Sequence, residues 1–250
     1  MNKKYTYVWV SLVILVFGII FIPKIIDRIK SGTIVQNDRM NVEPPASAKE
    51  NSTMSYVLFD GKKRKVPAFK FIDQDSTFVT DRDYLGKVYV VEFFFTRCPS
   101  ICPLMTKNLV ALQEEFKGEQ NFGIASFSIT PDFDTPAVLA EYANEYGIQD
   151  DDWHLMTGDR EEIYELANTG FNIYAAENAE APGGFEHSGL FALVDKEGYL
   201  RSREDSFGNP IIFYRGAIPE AQGVNDHGEK EQISILREDI KKLLKQKWTA

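Results

Sequence analysis

Val90-Val91-Glu92-Phe93-Phe94-Phe95-Thr96-Arg97-Cys98-Pro99-Ser100-Ile101-Cys102-Pro103 contains both cysteines of the 250-residue chain, three residues apart and directly after a strongly apolar run. Cysteines used only as small buried hydrophobes have no reason to share one five-residue window beside two prolines. A metal site or a redox couple is the leading reading. The run from Lys87 to Phe95 suits a central strand buried on both faces. Beyond Pro103, Leu104, Met105, Leu109, Leu112 and Phe116 follow roughly helical spacing and stop near Gly118. The cysteines thus fall where a strand feeds a helix. Unpaired backbone N–H groups and the positive end of the dipole favour a thiolate there, with Arg97 adding to the effect, so a lowered thiol pKa is expected. Pro103 suits the first helical position with Cys102 at the cap. A helix starting near Pro99 would instead make the cysteines an i, i+4 pair, about 6 Å apart along the axis. Both arrangements let the sulfurs meet.

Outward from this segment the pattern alternates between strands and helices. Val66 to Asp73 and Thr77 to Val79 read as short strands around a polar turn. Phe122 to Ile129 reads as a strand, Thr135 to Tyr146 as a helix closed by Gly147, His154 to Met156 as a short strand and Arg160 to Asn168 as a helix. Leu190 to Val194 and Tyr199 to Arg203 flank the turn Lys196-Glu197-Gly198, a hairpin signature. Ile233, Leu236, Ile240, Leu243 and Leu244 place an apolar stripe on a closing helix. This order describes an α/β domain of thioredoxin-like type, a central mixed sheet flanked by helices. Ser202 to Gln232 offers no clear periodicity.

The first fifth of the chain differs. Tyr7 to Ile22 is an uninterrupted apolar run between Lys3-Lys4 and Pro23-Lys24. Taken to Ile26, it reaches the roughly 20 residues that a spanning helix needs. No small-residue cleavage site and no lipid-accepting cysteine follows it, which favours one N-terminal transmembrane anchor over a cleaved signal. The expected organisation is a short tail (1–6), an anchor (7–26), a flexible linker (27–55) containing Pro44-Pro45, and a folded domain (56–248). Positive charge on both sides of the run does not fix its orientation. Residues 1–30 carry five positive charges and one negative, which leaves −13 on the other 220 residues. Such an acidic domain is unsuited to nucleic acid and tolerates cationic partners or metal ions.

Two thiolates leave a metal under-coordinated, so a histidine is sought among His154, His187 and His227. His187 is best placed, in the glycine-rich loop Gly183-Gly184-Phe185-Glu186-His187-Ser188-Gly189 just before a strand. His154, beside Trp153, reads as structural and His227 as a solvated loop residue. Two thiolates with one imidazole favour copper(I), with zinc possible. The shortage of other Cys and His residues argues against a closed four-ligand zinc site. Asp134 reads as a cap or turn group ahead of Thr135-Pro136.

From about Pro67 to Arg203 the sequence resembles the Sco/SenC copper chaperones. These are membrane-tethered thioredoxin-fold proteins that help to build the dinuclear copper centre of cytochrome c oxidase. The resemblance is carried by Phe93 to Pro103, by Ser128-Ile129-Thr130-Pro131-Asp132-Phe133-Asp134-Thr135-Pro136, by Thr157-Gly158-Asp159-Arg160-Glu161-Glu162 and by the late histidine. It implies copper, as Cu(I) or Cu(II), on Cys98, Cys102 and His187, with Glu186, Asp134 and Arg97 as neighbours that orient or polarise the ligands. The chain departs from the common family pattern at Arg97, Ser100, Thr130 and Glu186, none of which removes a ligand. The implied partners are the copper-containing oxidase subunit and thiol reductants, with the soluble domain on the extracytoplasmic side of the membrane. Cys98 and Cys102 could alternatively form a redox-active disulfide in a thiol-disulfide oxidoreductase, Cys98 being the exposed attacking thiolate and Cys102 the resolving one. A redox or copper sensor is a further reading.

Overall fold

The computed structural model describes residues 54–180, 182–204 and 210–248, together with Leu15 and Phe17. Apart from Leu15, Phe17, Met54 and Ser55, the expected anchor and linker lie outside the described residues. Among those described, no helix is long and apolar enough to cross a membrane. The chain divides into two compact units, Met1–Ala46 and Ser47–Ala250. Every element that follows belongs to the second.

In chain order, β1 (Ser55–Tyr56), a tight hairpin of β2 (Leu58–Phe59) and β3 (Lys62–Lys63), β4 (Lys70–Asp73) and β5 (Phe78–Thr80) lead to β6 (Val88–Phe94). Then come α1 (Cys102–Glu115), β7 (Phe122–Ser128), α2 (Pro136–Tyr146), β8 (Trp153–Thr157) and α3 (Arg160–Glu165). The remainder comprises β9 (Ala175–Glu177), β10 (Phe185–His187), β11 (Leu190–Val194), β12 (Leu200–Glu204), β13 (Pro210–Ile211), β14 (Tyr214–Arg215) and α4 (Ile233–Leu244).

The main sheet runs β1-β12-β11-β6-β7-β8-β4-β5. Its centre, β6-β7-β8, is parallel, and antiparallel strands flank it on both sides. Parallel neighbours cannot be joined by a tight turn, which is why α1 and α2 carry the chain from β6 to β7 and from β7 to β8. Every residue of β6 and of β7 is buried, so helices must cover both faces of these strands. Phe93 and Phe127 stack across them with ring centroids 5.3 Å apart. α2 begins where the Thr135 side chain accepts the Val138 amide and ends at Gly147, whose φ of 74° is a conformation that glycine adopts without strain. α4 buries Ile233, Leu236, Ile240 and Leu243.

Several segments differ from the sequence reading, beginning with 66–73, of which only Lys70–Asp73 is a strand. The helix expected over Arg160–Asn168 is α-helical only to Glu165 and then widens into a π turn, Leu166–Phe171. The glycine-rich loop contains a short strand, β10, paired antiparallel with β9 so that His187 lies opposite Ala175. Within Ser202–Gln232, β13 and β14 extend β12 and β11, and the Asn108 side chain donates to the Gly216 carbonyl at 2.8 Å.

Candidate metal and redox site

The cysteines sit where β6 leaves the sheet at its C-terminal end and the chain turns into α1. Cys98 donates its backbone N–H to Phe95 O at 3.2 Å, which closes the turn. α1 starts at Cys102 with Ile101 as its N-cap residue, and no side chain caps it. Pro103 has no amide to satisfy in this first turn. The first helical amide, that of Cys102, instead donates to Cys98 Sγ at 3.5 Å. One backbone donor at the positive end of a helix therefore faces the sulfur, and the Ser100 hydroxyl lies 3.6 Å from it.

Both thiols are buried, with Cys98 6% and Cys102 1% exposed. This corrects two expectations. Cys98 is not openly exposed, and the Cys102 thiol is not shifted toward a thiolate. Burial pushes its pKa well above the ordinary thiol range, reinforced by a hydrogen bond and charge repulsion with Cys98 and by the nearby Glu92, while a backbone hydrogen bond from Phe95 works weakly the other way. Arg97 is exposed and lays its guanidinium 3.5 Å from the centre of the Phe133 ring, itself half exposed.

Asp134 does not cap α2, since Thr135 does. Its fully buried carboxylate accepts from the Thr96 amide at 3.1 Å, the Thr96 hydroxyl, the Ser128 hydroxyl and the Thr130 hydroxyl at 2.9 Å. The start of the cysteine loop is thereby tied to the end of β7. Inside the sheet, Glu92 is fully buried, and burial raises its pKa to about 7 despite a hydrogen bond from Ser126 at 2.7 Å. Ser126 in turn accepts from the Trp153 indole at 3.0 Å, while Glu92 Oε2 has no hydrogen-bond partner among the described residues. The sequence did carry a signal for Glu92, a lone charge in an apolar run buried on both faces. The hub at Asp134 was only half announced, because Ser128 and Thr130 lie in its own stretch whereas Thr96 comes from the cysteine segment, 38 residues away.

The segment bearing His187 packs against the cysteine loop through its glycines. A Cβ on Gly183 would lie 2.8 Å from the Phe95 ring and 3.3 Å from Pro99, and one on Gly189 would lie 3.0 Å from Ile101. Gly183 and Gly189 both have positive φ, 84° and 65°. The Phe185 and Phe95 rings meet at 5.6 Å. The backbone of Glu186 and His187 is thus bracketed on both sides by contacts to Phe95, Pro99 and Ile101; the two side chains lie outside the description. His154 is committed elsewhere, with Nδ1 2.9 Å from Asp73 Oδ2, and His227 lies exposed in a turn. Among the described residues no group of three or more His, Cys, Asp or Glu side chains converges on a metal position.

Residues 59–213 match the SCO1/SenC family profile. The chain belongs to the SCO1/SenC family. The SCO1 protein homolog of Bacillus subtilis is 34% identical over 136 residues, covering 54% of this chain and 70% of that protein. BsSco, described as a member of the Sco family of cytochrome c oxidase assembly proteins in which a disulfide switch was identified, superposes with a TM-score of 0.55 at 27% identity, covering 74% of this chain and 95% of that one. ScoI of Arabidopsis thaliana, solved with copper bound, shares the SCO1/SenC fold with a TM-score of 0.53 at 22% identity, over 73% of this chain and 99% of that one.

Proposed function

We propose that the protein is a membrane-anchored copper chaperone. It carries one copper ion on Cys98, Cys102 and His187 and passes it, outside the cytoplasm, to the copper-containing subunit of cytochrome c oxidase. Residues 7–26 form the anchor and 27–55 the tether of the domain at 56–248. The observation that carries this reading is the close approach of Gly183 and Gly189, which flank His187 in sequence, to Phe95, Pro99 and Ile101 of the cysteine segment. Two soft sulfurs with one imidazole match copper in donor type, and copper is here the cargo. Binding displaces thiol protons, so loading releases protons and is favoured as pH rises. A three-ligand site leaves room for an incoming donor, and the histidine on a short, separately paired strand is the ligand that can leave first.

A second reading, thiol-disulfide exchange, is favoured by the hydrogen bond between the two thiols and by the disulfide switch described for BsSco. In that step the Cys98 thiolate attacks a target disulfide and Cys102 displaces the target. The target gains two electrons and two protons, and a Cys98–Cys102 disulfide remains for a thiol reductant to reopen.

Copper stoichiometry and affinity of the reduced full-length protein, measured in parallel with Cys98→Ser and His187→Ala, test the proposal. One tight copper per chain is expected, lost in Cys98→Ser and weakened at least tenfold in His187→Ala with folding intact. Unchanged affinity in His187→Ala removes that residue from the ligand set. Absence of specific copper binding together with a readily cycled disulfide replaces the chaperone by the exchange reaction.

A further inference from the structure

The β2–β3 hairpin stands apart from the main sheet. Asp60 and Gly61 both adopt positive φ, 48° and 73°, as a two-residue turn with the twist of the flanking strands requires. Its base is tied to the domain by Val57 N–H on Leu200 O at 3.0 Å and Leu200 N–H on Arg64 O at 2.9 Å. Beyond that base Leu58 and Phe59 are 61% and 62% exposed. Immediately after the turn come four consecutive cations, Lys62-Lys63-Arg64-Lys65, in a part of the molecule that is otherwise strongly acidic. Several cations elsewhere, among them Lys87, Arg160, Arg201, Arg203, Arg215 and Arg237, pair with carboxylates. Among the described residues the four hairpin cations have no carboxylate partner. Lys63 sits 3.6 Å over the Tyr56 ring, and Arg64 donates to backbone carbonyls at Thr169 and Gly170 and lies 5.1 Å from the Phe59 ring.

An exposed aliphatic–aromatic pair beside unpaired lysines is the composition that lies at a bilayer surface, with the apolar groups at the acyl boundary and the cations on anionic headgroups. We propose that the β2–β3 hairpin is a membrane-surface contact for anionic phospholipid. Leu58 and Phe59 enter the headgroup region and Lys62, Lys63 and Lys65 hold lipid phosphates. The proposal rests on the anchor of the proposed function, because a tether already keeps the domain near one bilayer and a weak contact becomes effective at that local concentration. The hairpin would then give the tethered domain a second point of attachment.

The test uses the full chain in nanodiscs of phosphatidylcholine, with or without phosphatidylglycerol, and compares the parent with Phe59→Trp. Quenching of tryptophan emission by brominated acyl chains is the readout. Trp9, inside the apolar segment, reports on the anchor, and a tryptophan at position 59 reports on the hairpin. The expected result is quenching at Trp9 in both lipids, plus at least a twofold loss of the emission added at position 59 that requires phosphatidylglycerol. Lys62→Glu/Lys63→Glu should abolish this added quenching while the circular dichroism spectrum stays unchanged. Quenching at Trp9 with none at position 59, or equal quenching at 59 in both lipids, overturns the hairpin contact and leaves the anchor standing. Absence of quenching at Trp9 removes the anchor, and the proposal falls with it.

Discussion

The two halves of the candidate site are built differently. The cysteine loop is fixed from three sides, by a fully buried strand behind it, by a helix whose first amide is directed at sulfur, and by Asp134 gathering four hydrogen bonds from Thr96, Ser128 and Thr130. The His187 segment has a three-residue strand paired with another of equal length, glycines at its bends and a contact between the Phe185 and Phe95 rings. A pair of short strands is marginal by itself. One half holds its sulfurs in place while the other is lightly held, a division that suits the metal uptake and release proposed above.

The contrast breaks most visibly at Asp134. Asp134→Ala leaves two buried donors, on Ser128 and Thr130, and two partly buried ones, on Thr96, without their acceptor and should cost about 3 to 4 kcal/mol of stability in urea unfolding, with the cysteine loop loosened. A loss below about 1 kcal/mol would show that the hub does not fix the loop.

Glu92 sharpens the contrast from beneath the same loop. Its folded pKa of about 7 lies above the ordinary carboxylate value, so the native state retains a proton that the unfolded chain releases. Its contribution is therefore fully present below about pH 4.5, falls as pH rises toward 7 and is flat above, an amplitude of about 3 kcal/mol. Glu92→Gln should remove that slope from unfolding curves of the metal-free protein and raise stability at pH 8 by about 2 kcal/mol. An unchanged slope would mean that Glu92 is ionised when folded.

At Gly183 the expected outcome is local. An alanine there meets Phe95 and Pro99 at a positive φ, so Gly183→Ala should cost about 1 to 2 kcal/mol of global stability yet weaken copper binding by more than that loss implies. Equal affinity would separate the hairpin from the site. Phe133→Ala, which removes the ring beneath the Arg97 guanidinium, should lower stability by less than about 1 kcal/mol in urea unfolding and leave copper affinity unchanged; a larger loss would show that the pair helps to hold the cysteine loop.

Much of this was legible in the chain. β6 announced itself as a continuous apolar run ending in two cysteines, α2 as Thr135-Pro136 to Gly147, and the β11–β12 hairpin as Lys196-Glu197-Gly198 between an apolar run and a second β-type run. These are local signals, set by side-chain periodicity and turn chemistry. β9 and β10 were not legible, because Ala175–Glu177 and Phe185–His187 are too short and too polar to alternate visibly and exist only through each other. The same holds for β13 and β14, which borrow their register from β12 and β11. The π turn after α3 carries no residue that forbids an α-helix. The thiol environment was misjudged because a helix N-terminus is visible in sequence, whereas the depth at which it is buried is a property of the assembled layers.

The uncapped start of α1 ties backbone to sulfur. Where most helices spend a serine or aspartate side chain on their opening turn, this one directs its first amide at Cys98 Sγ. Anything that alters the electron density on that sulfur, a metal ion, a bond to Cys102 or an added proton, alters the acceptor on which the helix begins. Hydrogen–deuterium exchange at Cys102, Leu104 and Met105 should therefore track the chemical state of the thiol, a label-free reporter already written into the main chain.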